Sequence, residues 1–126
     1  MKNDKKLRGV GVKIINAVRN TCSYAPKPGG KLDMTLLTGT MRKGIVEALT
    51  PGAIKYGLFN WRVKPNSHRQ LIAAAERHID AFMEGEDLDP ETGVHHIKHA
   101  AASLCIVIDQ LGYHPADIDD RPISND

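Results

Sequence analysis

Nothing in this 126-residue chain offers the run of roughly 20 apolar residues that a membrane-spanning helix needs. The longest apolar stretch lies around residues 100–108 and falls well short. Residues 1–8 are charged and lack the apolar centre of a secretion signal, so the expectation is a cytoplasmic protein with no membrane partner. The only cysteines, Cys22 and Cys105, are far apart, which excludes a CxxC metal knuckle and a disulfide framework. Cys105 sits within apolar sequence and reads as a core residue, Cys22 as a loop thiol. Also missing are the GxxxxGK[ST] phosphate loop, a GxGxxG turn after a strand, a GxSxG elbow and an HExxH pair. ATP-driven, dinucleotide-binding, serine-hydrolase and zincin chemistries therefore lose their usual support.

What is present suits one small domain. With 41% hydrophobic residues, a chain of this length can bury about two-thirds of its unfolded surface. The net charge is only +2 but unevenly spread: six Lys or Arg against one Asp occupy residues 1–20, while residues 84–91 hold five acids and no base. A basic arm can meet phosphate, yet the chain as a whole is not basic enough to make nucleic acid the expected partner.

Residues 7–19 fit either a short amphipathic helix or a strand, and residues 24–30, Tyr-Ala-Pro-Lys-Pro-Gly-Gly, form a linker. From Thr38 or Thr40, Met41, Ile45 and Ala48 recur at helical spacing behind hydroxyl caps. Pro51 either kinks that helix or, with Thr50, starts another running to Tyr56. Ser67 caps the next helix, whose face of Leu71, Ala75, His78, Ile79 and Phe82 runs toward Gly85. Asp89-Pro-Glu91 looks like a helix start, after which Val94, Ile97, Ala101, Leu104, Ile108 and Leu111 trace an apolar stripe to Gly112. The polar tail from His114 is expected to fray. Three or four helices with short loops and no convincing strand pair predict an all-α fold, a small antiparallel helical bundle. The expected divisions are a basic arm and linker over residues 1–30, a helical core over 31–113 and the tail over 114–126.

The residues able to carry chemistry concentrate between Glu47 and His99. Glu84, Glu86, Asp87, Asp89 and Glu91 precede His95, His96 and His99 directly. Carboxylates suit magnesium and manganese, and imidazole widens the choice toward manganese or zinc. His96 and His99, three apart on one helix, can address one point, although a solvated acidic loop beside half-exposed histidines has the same composition. His78 lies on the apolar face of its helix, where a histidine is more often a core residue; Asp80 beside it gives a His-Asp pair of the kind some metal phosphohydrolases use. Glu47, among apolar neighbours, either faces water or enters the bundle with a partner, because an unpaired buried carboxylate is costly. Lys55, Arg62, Lys64, Arg69 and Arg77 are available for phosphate oxygens.

The string Leu49-Thr-Pro-Gly-Ala-Ile-Lys-Tyr-Gly-Leu-Phe-Asn-Trp-Arg62 resembles the GAxKYGxxNWR segment of a phage and bacterial family, the N-terminal domain of dATP/dGTP diphosphohydrolases. The likeness continues in order through Lys31-Leu-Asp33, Ala75-Glu-Arg-His78, Gly85-Glu-Asp-Leu-Asp-Pro-Glu-Thr-Gly93 and His96-Ile-Lys-His-Ala100, spanning about residues 30–111. The resemblance, extended to the wider group of all-α MazG-like pyrophosphohydrolases, implies hydrolysis of purine deoxynucleoside triphosphates to monophosphate and pyrophosphate with magnesium or manganese. On it, Glu47, Glu86, Asp89, Glu91, His96 and His99 become metal candidates, with Glu47, Glu91 and His78 as catalytic candidates. Lys55, Tyr56, Asn60, Trp61, Arg62 and Arg77 could hold base, sugar or phosphates, though Trp61 is equally a core aromatic at a helix end. The same resemblance implies a homo-oligomer, with the stripe of residues 94–111 partly at the interface. Two other readings stay open: a non-catalytic domain of the same fold binding a nucleotide or a partner, and a nucleic-acid accessory protein acting through the basic arm.

Overall fold

In the computed structural model, which describes residues 27–113 and 117–123, the first long helix starts on a threonine hydroxyl. Thr38 Oγ1 accepts the Met41 N–H at 3.2 Å and satisfies one of the free donors at the start of α1 (Gly39–Tyr56). Pro51 does not end this helix. The chain stays helical through it to a Gly57 at φ 96°, whose N–H closes on the Ala53 carbonyl. Immediately before Pro51, Thr50 Oγ1 donates to the Val46 carbonyl at 2.6 Å, a local bond of the type that accompanies helix bending. A four-residue helix, α2 (Asn60–Val63), follows.

Ser67 then caps α3 (His68–Met83) with a complete capping box: Gln70 N–H donates to Ser67 Oγ, and Ser67 N–H donates to Gln70 Oε1. The last helix, α4 (His96–Tyr113), begins seven residues later than the Asp89-Pro-Glu91 signal suggests. Residues 88–95 instead form a tight turn. Leu88 and His95 make an isolated antiparallel bridge, Asp89 N–H donates to the Val94 carbonyl, and Gly93, at φ 72°, returns its N–H to the Asp89 carbonyl. A left-handed backbone at that point favours glycine, and a helix start at Asp89 gives way to the turn that Gly93 permits.

The fold is all-α, with no strand among the described residues. α3 runs antiparallel to α4: Asn66, just before α3, accepts from Gln110 near the end of α4, while His78 in α3 meets His96 at the start of α4. α1 and α2 advance in the same sense as α4, since Glu47 pairs with Lys98 and Arg62 with Asp109. α4 is therefore the central helix, with α3 on one side and α1 on another. Gly44 of α1 is buried beside the Lys98 side chain of α4, which a Cβ there would meet at ordinary contact distance, 3.4 Å.

The packed faces of α4 carry His96, Ala100, Ala102 and Gln110, not the large apolar stripe. Ile97, Leu104, Ile108 and Leu111, which recur within a narrow arc at about 100° per residue, point outward, with Ile108 66% exposed. The tail does not simply fray: Ile118 is buried, its carbonyl accepts the His68 N–H, and Asp120 accepts the Arg69 N–H, so residues of the tail complete the start of α3. Residues 27–36 belong to a separate unit and hold a 3-10 turn, Met34–Leu36, opened by Asp33 through the Thr35 N–H. The segment expected at residues 7–19, and Cys22 with it, lie outside the described residues. No described helix is long and apolar enough to cross a membrane.

Candidate functional site

The antiparallel pairing of α3 and α4 places His78, on the second half of α3, against His96 on the first turn of α4, with Nδ1 facing Nδ1 at 2.8 Å. The turn of residues 88–95 brings in Asp89. One potential ligand atom each from His78, Asp89 and His96 lies within 4.8 Å of the others, the one such group found among the described residues.

Each member is held from behind. His96, almost fully buried, has its Nε2 2.7 Å from Glu86 Oε1, so the Nε2 proton is directed at the carboxylate and the Nδ1 lone pair at the cluster. Asp89 accepts the Glu91 N–H on Oδ1 at 2.7 Å, leaving Oδ2 toward His99 Nε2, which is 3.7 Å away and beyond hydrogen-bond range. His99 stacks on His78, with ring centroids 4.7 Å apart and planes 15° from parallel, while its Nε2 bonds the Thr92 hydroxyl at 2.6 Å. Burial lowers the pKa of both His78 and His99, reinforced at His78 by the neighbouring His99 and Arg77 and opposed at both by Asp89. The rings are thereby biased toward the neutral form, which offers nitrogen lone pairs. Such a set can bind a cation or shuttle a proton.

The family profile described as dATP/dGTP diphosphohydrolase, N-terminal, matches residues 24–121 of this chain. A protein of Salmonella phage PMBT28 named dATP/dGTP diphosphohydrolase is 32% identical over 92 residues. The chain belongs to the dATP/dGTP diphosphohydrolase N-terminal family. That match takes in 73% of this chain but 31% of the phage protein, so the chain spans under a third of the relative's length. No solved structure matches it.

Within this family member the residues expected from sequence fall into several places. His78, Glu86, Asp89, His96 and His99 come together. Glu47 lies outside that group and pairs with Lys98 at 2.7 Å; the Lys98 hydrogen bond and charge lower its pKa. Glu91 gives its backbone to Asp89 while its exposed carboxylate helps raise the Lys55 pKa, an effect led by the hydrogen bond and charge of Tyr56. Lys55 Nζ stands 5.1 Å from the centre of the Tyr56 ring, and Arg77 is exposed beside His78.

The remaining candidates form a lock. Asp109 accepts from Trp61 Nε1 at 2.8 Å and from Arg62 through two nitrogens at 2.9 and 2.7 Å, which holds its pKa down at about 2. Phe59, at φ 53° and edge-on to Trp61, takes the left-handed backbone that a bulky residue rarely adopts, and Asn60 donates back to the Gly57 carbonyl. Sequence reasoning missed Thr92, Lys98 and Asp109. Thr92 sits inside the Asp-Pro-Glu-Thr-Gly string and could have been noticed; Asp109 and Lys98 gain meaning only from helices packed across α4.

Proposed function

We propose that the chain acts on purine deoxynucleoside triphosphates, hydrolysing them to monophosphate and pyrophosphate with the help of a divalent cation. The convergence of His78, Asp89 and His96 carries this reading, set beside family membership and the phage relative's name. A cation held there would neutralise phosphate oxygens and acidify an attacking water. Lys55 and Arg77 supply positive charge for the triphosphate. Glu91, exposed on the turn, takes the proton of the incoming water, and Tyr56, exposed at the end of α1, offers its ring to the purine. Trp61 and Arg62 serve by fixing α2 on Asp109. We further propose a homo-oligomer, joined through the outward stripe of α4.

Pyrophosphate release from a panel of deoxynucleoside triphosphates tests the activity. Release from dATP or dGTP, abolished in a folded His96→Ala variant, is the expected result; no release from any nucleotide by the folded chain overturns it.

A further inference from the structure

The donor atoms themselves distinguish among cations, and the argument rests on the same site as the hydrolase reading. The resemblance implies magnesium or manganese. Magnesium takes oxygen ligands and keeps much of its water, whereas imidazole suits manganese, iron, cobalt, nickel and zinc. Two of the three converging groups here are imidazoles, and the carboxylates Glu47 and Glu86 that would have made the set oxygen-rich are committed to Lys98 and to His96 Nε2.

We infer that Nδ1 of His78, Nδ1 of His96 and an oxygen of Asp89 form a resident site for a first-row transition cation, and that magnesium is not its occupant. Glu86 is a positioning residue. A metal-bound histidine typically donates its other N–H to a carboxylate, which fixes the tautomer and ring orientation, and the Glu86–His96 pair has that form. His99 backs the other ligand by stacking on the His78 ring, and is itself held by Thr92.

Metal–nitrogen bonds of about 2.1 Å place two donors about 3.0 to 3.4 Å apart. The observed 2.8 Å is a hydrogen-bond distance, close to the spacing that a shared cation would need. Two imidazoles and one carboxylate would leave the rest of a cation's coordination sphere open to water or substrate oxygens. Without a cation, the same contact is an N–H of His78 donated to the His96 lone pair.

The test uses the full, untagged chain, stripped of metal and titrated with cobalt(II), whose visible absorption reports coordination, with atomic emission for stoichiometry. One cobalt per chain is expected, undisplaced by millimolar magnesium. Asp89→Asn and His78→Gln, each checked for helix content by circular dichroism, should weaken cobalt binding at least tenfold, and Glu86→Gln about tenfold. Equal competition by magnesium, or unchanged cobalt affinity in folded Asp89→Asn and His78→Gln chains, overturns the inference. Cobalt binding without pyrophosphate release leaves the site standing and removes the hydrolase reading. Release that needs only magnesium, with no cobalt bound, does the reverse.

Discussion

Trp61 Nε1–H donates to Asp109 Oδ2 at 2.8 Å, joining residues 48 positions apart and anchoring α2 on the central helix together with the Arg62 fork. The Asp109 carboxyl is held at about 2, below its unfolded value near 3.8, so acid favours the unfolded chain. Its contribution to stability is complete above about pH 5 and is lost as pH falls through 3.8 toward 2. Asp109→Asn should lower the melting temperature at pH 7 by roughly 5 °C and flatten the stability slope between about pH 4 and pH 2. Urea unfolding across that range measures it; an unchanged slope would show that the lock contributes nothing.

Glu47 and Lys98 are both about 40% exposed, and exposed pairs add little to stability. Glu47→Gln is expected to leave the melting temperature nearly unchanged and cobalt affinity within about twofold of the parent chain, because the ion pair lies outside the histidine group. If Glu47 ligates the cation, as the resemblance implies, the same variant loses cobalt binding. Isothermal titration separates the two outcomes.

Gly93 holds the turn that presents Asp89. Its φ of 72° is a region that side chains rarely adopt, although a Cβ there meets nothing within 4 Å, so the cost of Gly93→Ala is backbone strain alone. A loss of about 1 kcal/mol is expected by chemical denaturation, with cobalt binding weakened because Asp89 is displaced. Wild-type stability and affinity in this variant would show that the turn does not control the ligand.

What could be read from sequence was what short-range chemistry decides. Thr38 and Ser67 start helices because their hydroxyls meet N–H groups three residues on, and that pattern is local. His96 and His99 share a face by spacing alone. His78 joins them only through the antiparallel course of α3, which no local pattern encodes. Asp89-Pro-Glu91 has the residues of a helix start, yet the bridge from Leu88 to His95 and the left-handed Gly93 give a turn. Pro51 looked like an interruption, but α1 continues through it. The apolar stripe of residues 94–111 has core periodicity, yet α4 buries Ala100, Ala102, His96 and Gln110, where small residues allow two neighbours to pack.

That outward stripe leads to the last prediction. α4 carries an apolar sector beyond the faces that hold its buried residues His96, Ala100, Ala102 and Gln110. α3 and α1 cover two sides, and Ile97, Leu104, Ile108 and Leu111 remain facing out as a continuous row. Exposed apolar rows of this kind mark association surfaces. A second copy of the chain presenting the same row would cover it, giving a dimer at micromolar concentration in sedimentation velocity. Ile108→Glu places a charge in the middle of the row, at a position already 66% exposed, so helix content should persist while the dimer dissociates. A parent chain that sediments as a monomer, or an Ile108→Glu chain that remains dimeric, would place the contact elsewhere or remove it.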